Sequence, residues 1–159
     1  MKKGRQLRPG DPTLDRYYGL EESILTSVRL ARLQSEVELV VWCYHDRLRG
    51  FPDNLCVRLQ FTDVQMVSFS RIAVLPGETR ARYVPSELAT WGWNEIDHVE
   101  FLEDSEALRL LGDAAVPMSH IVVALGAARR AEVVYGTLTV MEEECALQEA
   151  AMAESMFTD

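Results

Sequence analysis

Between Ile24 and Ile72 the apolar residues fall largely at every second position. They form three sets: Ile24, Val28 and Leu30; then Val37, Leu39, Val41 and Cys43; then Leu55, Val57, Leu59 and Phe61. Successive side chains on a strand point to opposite faces, so this spacing predicts a β-meander with one packed face. The first hairpin joins 24–33 to 36–44. Pairing Leu30 with Leu39 and Val28 with Val41 puts all four on one face and leaves Gln34 and Ser35 at the tip. These lack Asn-Gly chemistry, so a wider loop is the alternative. Burying Val37, Leu39 and Val41 with Val57, Leu59 and Phe61 across the second hairpin requires even register sums. Cys43 then faces the core and Cys56 faces away, which argues against a disulfide between them.

The parity slips at Thr62 and Asp63, and 64–72 reads as a short fourth strand or a bulged extension of the third. Residues 73–94 read as an irregular connection broken by Pro76-Gly77, Pro85 and Trp91-Gly92-Trp93, with a short helix starting at Ser86. Then come a strand over 95–101, a short helix or acidic turn over 103–111, and a last hairpin of 120–126 with 130–141. Residues 142–157 favour a helix, with Glu142, Glu143 and Glu144 at the positive end of its dipole. Residues 1–18 read as a flexible basic arm: Pro9, Gly10 and Pro12 break regular structure, and Lys2, Lys3, Arg5 and Arg8 supply the charge. The expected architecture is one mainly β domain over 19–159, an antiparallel meander folded into a sandwich with an acidic C-terminal helix. An α+β layer with the helix across the sheet is the alternative.

A chain of 159 residues suits a single core. It has no apolar run long enough to span a bilayer, and its basic start lacks the apolar stretch of an export signal. The expectation is a cytoplasmic protein with no membrane partner. Three widely spaced cysteines give neither a zinc pattern nor a disulfide framework. The net charge of −9 repels phosphate backbones, which sets nucleic acid aside, and attracts basic partners. The charge is concentrated. Over 95–113, Glu95, Asp97, Glu100, Glu103, Asp104, Glu106 and Asp113 stand against Arg109 alone. A solvated face is one account of this stretch, and an electrostatic footprint for a basic protein is the other.

No catalytic constellation emerges. His45 and Asp46, Asp97 and His98, and Ser119 and His120 are adjacent pairs, whose side chains diverge on a regular strand. A metal site from His45, His98 and His120 has no spacing to support it. No serine sits in a G-x-S-x-G elbow, Cys43 and Cys56 fall in strands, and Gly126 is isolated where a phosphate loop would need several glycines. The expectation is therefore a protein that is not an enzyme and carries no cofactor or metal. The aromatic residues say more. Trp91 and Trp93 share one parity and precede Glu100, Glu103, Asp104 and Glu106, which together form the first candidate partner-binding surface. Val40, Trp42, Tyr44 and Arg58 share the outward face of the meander and form a second candidate patch, unless another segment covers them as a second core.

The segments LEESILTSVRLARLQSEVELVVW (20–42) and NLCVRLQFTDVQMVSF (54–69), with Val57, Leu59, Phe61 and Val64 in a V-x-L-x-F-x-x-V pattern, resemble small bacterial immunity-type proteins of polymorphic toxin systems. NEIDHVEF (94–101) and HIVVALGAARRAEVVYGTLTVMEE (120–143) are similar to the closing strands of that group. The resemblance implies a non-catalytic inhibitor that binds and neutralises a toxin, and it supplies no catalytic residues. An unrelated interaction or scaffold subunit, or a small enzyme or ligand-binding protein using 73–94, are the alternatives. The sequence assigns no oligomeric state.

Overall fold

The computed structural model describes residues 4–33, 35–43, 55–69, 72–73, 82–83, 95–112, 117–126 and 129–144. It is mainly β, with two antiparallel sheets packed face to face. The first sheet has the order β1-β11-β4-β3-β2, from β1 (Arg5–Leu7), β11 (Thr137–Glu144), β4 (Leu55–Thr62), β3 (Glu36–Cys43) and β2 (Ile24–Ala31). The second has the order β5-β10-β9-β8, from β5 (Met66–Phe69), β10 (Arg129–Tyr135), β9 (Ser119–Leu125) and β8 (Ile96–Leu102). A separate two-stranded pair joins β6 (Ile72–Ala73), at the end of the expected 64–72 strand, to β7 (Arg82–Tyr83), inside the stretch expected to be irregular. One short helix, α1 (Glu106–Leu111), follows β8 as the sequence suggested. No helix among the described residues is long and apolar enough to cross a membrane.

The second hairpin has the expected even parity, and its register is Val37 opposite Phe61, Leu39 opposite Leu59 and Val41 opposite Val57. All six are buried in one core cluster, which includes Cys43 and excludes Cys56. The first hairpin differs. Val28 opposes Leu39 and Leu30 opposes Val37, two residues away from the expected pairing. The loop is wider, with Arg32 and Leu33 in the left-handed region and the Ser35 N–H donating to the Arg32 carbonyl at 3.1 Å. A bulge between Leu25 and Ser27 then exchanges the faces. Leu25 therefore enters the core opposite Val41, while Ile24, grouped with Val28 by parity, faces the other way opposite Trp42.

Two chain segments change sheets together. β4 leads into β5 through Asp63, at φ 53°, and β10 leads into β11 through Gly136. The Gly136 N–H donates to the Thr62 carbonyl at 3.2 Å, and the Gln65 N–H to the Val134 carbonyl at 2.8 Å. A Cβ on Gly136 would lie 3.0 Å from the Asp63 Cβ, so the close crossing calls for glycine. What parity reads as one strand over 130–141 is thus two strands in two sheets, turning the corner of the sandwich. The opposite flank is tied by an Ile24–Glu95 bridge and by Glu22 N–H to the Ile96 carbonyl at 2.7 Å. Phe61 and Tyr135 meet between the sheets at 4.7 Å.

Both termini depart from expectation. The supposed flexible arm is structured from Arg5: β1 pairs with β11, and Pro12–Leu20 forms a 3-10 helix. Asp11 caps that helix, its carboxylate accepting the Thr13 N–H at 2.8 Å, and Pro12 fits a first-turn position with no N–H to satisfy. Leu14, Tyr17 and Leu20 are spaced by three, the 3-10 repeat, and all are buried. At the other end Glu142, Glu143 and Glu144 lie in β11, opposite Val57, Cys56 and Leu55, and not in the first turn of a helix. The rest of the expected C-terminal helix, from 145, lies outside the described residues.

Candidate functional site

The 3-10 helix packs along the end of β8, and a groove opens between them. It has a volume of about 540 Å³ and is lined by Gly10, Asp11, Pro12, Leu14, Asp15 and Tyr18 on one side. Phe101, Leu102, Glu103 and Ser119 line the other. Part of the lining is aromatic: Tyr18 and Phe101 meet edge to face at 5.6 Å, and the Phe101 N–H donates to the Tyr18 hydroxyl at 3.4 Å. Three carboxylates, Asp11, Asp15 and Glu103, stand around it, and this lining contains no Lys or Arg. Hydrogen bonds from Thr13 hold the Asp11 carboxyl below its ordinary value, so it stays charged near neutrality. Gly10, at φ +76°, turns the chain over Glu103. A Cβ there would lie 2.7 Å from the Glu103 Oε1.

The structure thus selects Glu103 from the first candidate surface and joins it to Asp11 and Asp15, which the sequence reading placed in the arm. The other acids flank the groove along the chain. Glu100 lies on β8 with its Oε1 3.5 Å from His98 Nε2. Asp104 is paired with Arg109 at 3.0 Å, and that guanidinium holds the Asp104 carboxyl below its usual range. Glu106 is exposed in the first turn of α1. Trp91 and Trp93 lie outside the described residues. Tyr18, Asp11 and Asp15 are the residues that sequence reasoning missed. The D-P start followed by apolar spacing of three was the available signal.

The second candidate patch is not an exposed anchor surface. Val40 and Trp42 are 7% and 8% exposed, and Trp42 stands in a cross-strand row with Ile24 and Cys56, both buried. Arg58 lies between carboxylates, with its Nη1 3.7 Å from Glu38 and its Nε bonded to Glu143. Tyr44 lies outside the described residues. The outer face of this sheet therefore carries a second apolar layer beside a compensated ion network.

Of the histidines, His98 is half-exposed and His45 lies outside the described residues. His120 is 5% exposed, with Nδ1 2.9 Å from Ser105 Oγ and Nε2 3.1 Å from Glu132 Oε1. The order Ser–His–Glu invites comparison with a hydrolytic triad. Ser105 Oγ, however, already accepts the Leu108 N–H as the cap of α1. The chain of contacts locks α1 onto β9 and β10. Among the described residues no three His, Cys, Asp or Glu side chains are arranged to hold a metal ion. Cys43 is buried and outside any disulfide, so it is not bonded to Cys56, as its facing predicts; Cys56 is itself disulfide-bonded, which corrects only the reading that the cysteines give no disulfide framework.

No protein-family model, no curated protein and no solved structure matches this chain.

Proposed function

We propose that the chain is a non-catalytic protein-binding module that seats a basic protein partner in the groove between the 3-10 helix and β8, in the manner of an immunity-type inhibitor neutralising a toxin. The observation that carries this reading is the groove itself: Asp11, Asp15 and Glu103 around the Tyr18–Phe101 pair. A Lys or Arg head seated there meets both carboxylates and aromatic rings in the lining, and a cation over an aromatic ring contributes about 0.5–2 kcal/mol. The net charge of −9 adds long-range attraction that speeds encounter with a basic partner. The toxin-inhibitor element rests on the sequence resemblance. The Cys56 disulfide favours an oxidising compartment over the expected cytoplasm, because cytosolic thiols are kept reduced.

The test is capture from the native host with two baits, the unaltered chain and an Asp15→Lys, Glu103→Lys variant, each followed by mass spectrometry. The proposal expects a basic protein retained by the first and lost from the second. A partner retained equally by both overturns the groove as the docking site.

A further inference from the structure

Buried hydroxyls in folded proteins are nearly always hydrogen-bonded, because an unmade bond leaves their desolvation uncompensated. Tyr135 departs from this. It is 1% exposed, its ring packs against Phe61, and its hydroxyl has no hydrogen-bond partner among the described residues. Burial keeps that hydroxyl protonated well above neutral pH. Ser119 lies directly opposite on β9 and stands beside it, but the Ser119 hydroxyl is turned to the Leu102 carbonyl at 3.3 Å. Tyr18 is also within electrostatic range. Ser119, Leu102 and Tyr18 all line the acidic groove, so the orphaned hydroxyl lies against that lining.

We infer that the basic partner enters this groove with a lysine ammonium that donates to the Tyr135 oxygen, an inference that rests on the docking proposed above and names the side chain that docks. The polarity of the lining selects a donor. Ser119 gives its proton to Leu102 and keeps lone pairs that accept the Tyr135 proton, which leaves the Tyr135 oxygen as an acceptor. The completed chain runs from the ammonium through Tyr135 and Ser119 to the Leu102 carbonyl. Each hydroxyl in it donates once and accepts once, and bonds in such a chain strengthen one another. An anionic group is repelled by Asp11, Asp15 and Glu103. Between the two cationic side chains, the ammonium is a compact charge on a flexible stem, with donors that splay towards separate acceptors. The guanidinium is a planar fork that matches the paired oxygens of a single carboxylate, and the exposed Asp15 and Glu103 offer those. Tyr18, 39% exposed, is the side chain that turns aside as the stem enters.

Amide chemical-shift titrations with N-acetyl-lysine methylamide and with its arginine counterpart test this. The lysine probe should shift Ser119 and Tyr135, whereas the arginine probe should shift only Asp11, Asp15 and Glu103. Tyr135→Phe should weaken the lysine probe about tenfold, the loss of one hydrogen bond to a charged group. It should not lower the melting temperature, because the hydroxyl that it removes has no bond in the fold to lose. Equal lysine affinity in Tyr135→Phe overturns the inference. So does a lowered melting temperature in that variant, and so do equal shifts at Ser119 and Tyr135 with both probes. Lysine shifts confined to Asp11, Asp15 and Glu103 overturn it while leaving the acidic groove as the docking site. No shift at any of these residues with either probe overturns it and counts against the docking reading too.

Discussion

Leu59→Ala tests the facing of the central strand. Leu59 is 0% exposed and lies between Leu39 on β3 and Val140 on β11, with the second sheet closing the core over it. Three sides of the new cavity are thus ladder neighbours and a facing sheet, none of which moves in without breaking pairing. Leu→Ala substitutions cost about 2–5 kcal/mol, with more lost where the site does not collapse. The expected loss here is about 3–4 kcal/mol. For a chain of this size each kcal/mol moves the midpoint by about 2–4 °C, so the melting temperature should fall by about 6–16 °C. Arg58, the preceding residue, points to the other face and holds Glu38 and Glu143. Arg58→Ala removes those pairs and leaves the mostly buried Glu38 carboxylate less well met, an expected loss of about 1–2 kcal/mol. Urea melts of the two variants beside the unaltered chain give both numbers, with an unchanged slope showing that the comparison is of stability alone. Equal losses, or a larger one at Arg58, would refute the facing of β4.

Gly10→Ala places a Cβ 2.7 Å from Glu103 at a positive φ, so it should destabilise by about 1–2 kcal/mol in a thermal melt and shift the amide resonances of Glu103. Burial, reinforced for Tyr17 by Glu142, pushes the Tyr17 and Tyr135 hydroxyls up to about 12. The unfolded chain ionises them near 10, so their contribution to stability should be constant below that pH and fall as pH rises from about 10 to 12. Stability curves against pH check this, and Tyr17→Phe should remove part of the slope. Cys43 should react with a thiol reagent in denaturant without reductant, and only slowly in the native state because it is buried, whereas Cys56 should react only after reduction; mass mapping of the labelled peptides checks both.

Much of the sandwich was legible because alternation sets facing. The β3–β4 parity followed from putting Val37, Leu39 and Val41 on one face with Val57, Leu59 and Phe61, and no other parity buries them all; the register itself did not follow. A bulge breaks that logic without leaving a mark in composition. Thr26 looks like any strand residue, so Ile24 was grouped with Val28 although its side chain faces the other way. The corner at Gly136 was hidden for a related reason: apolar residues continue through it, and only the approach of Asp63 shows that the strand changes sheet. The N-terminal helix was missed because Pro9, Gly10 and Pro12 were read as breakers, while D-P followed by Leu14, Tyr17 and Leu20 is a start signal with a 3-10 repeat. The groove was half legible. Glu103 stood out in an acidic stretch, but its meeting with Asp11 and Asp15 depends on docking the 3-10 helix beside β8, which local pattern does not encode. Trp42 was marked as either an exposed anchor or part of a second core, and its burial decides for the core.

The central claim is that the acidic groove receives a basic partner. Its most direct test is the association rate of the captured, purified partner with the unaltered chain and with the Asp15→Lys, Glu103→Lys variant, at low and high salt. The account predicts about tenfold slower association for the variant at low salt, with the gap closing as salt screens the charges. Equal rates for the two chains at low salt would contradict it.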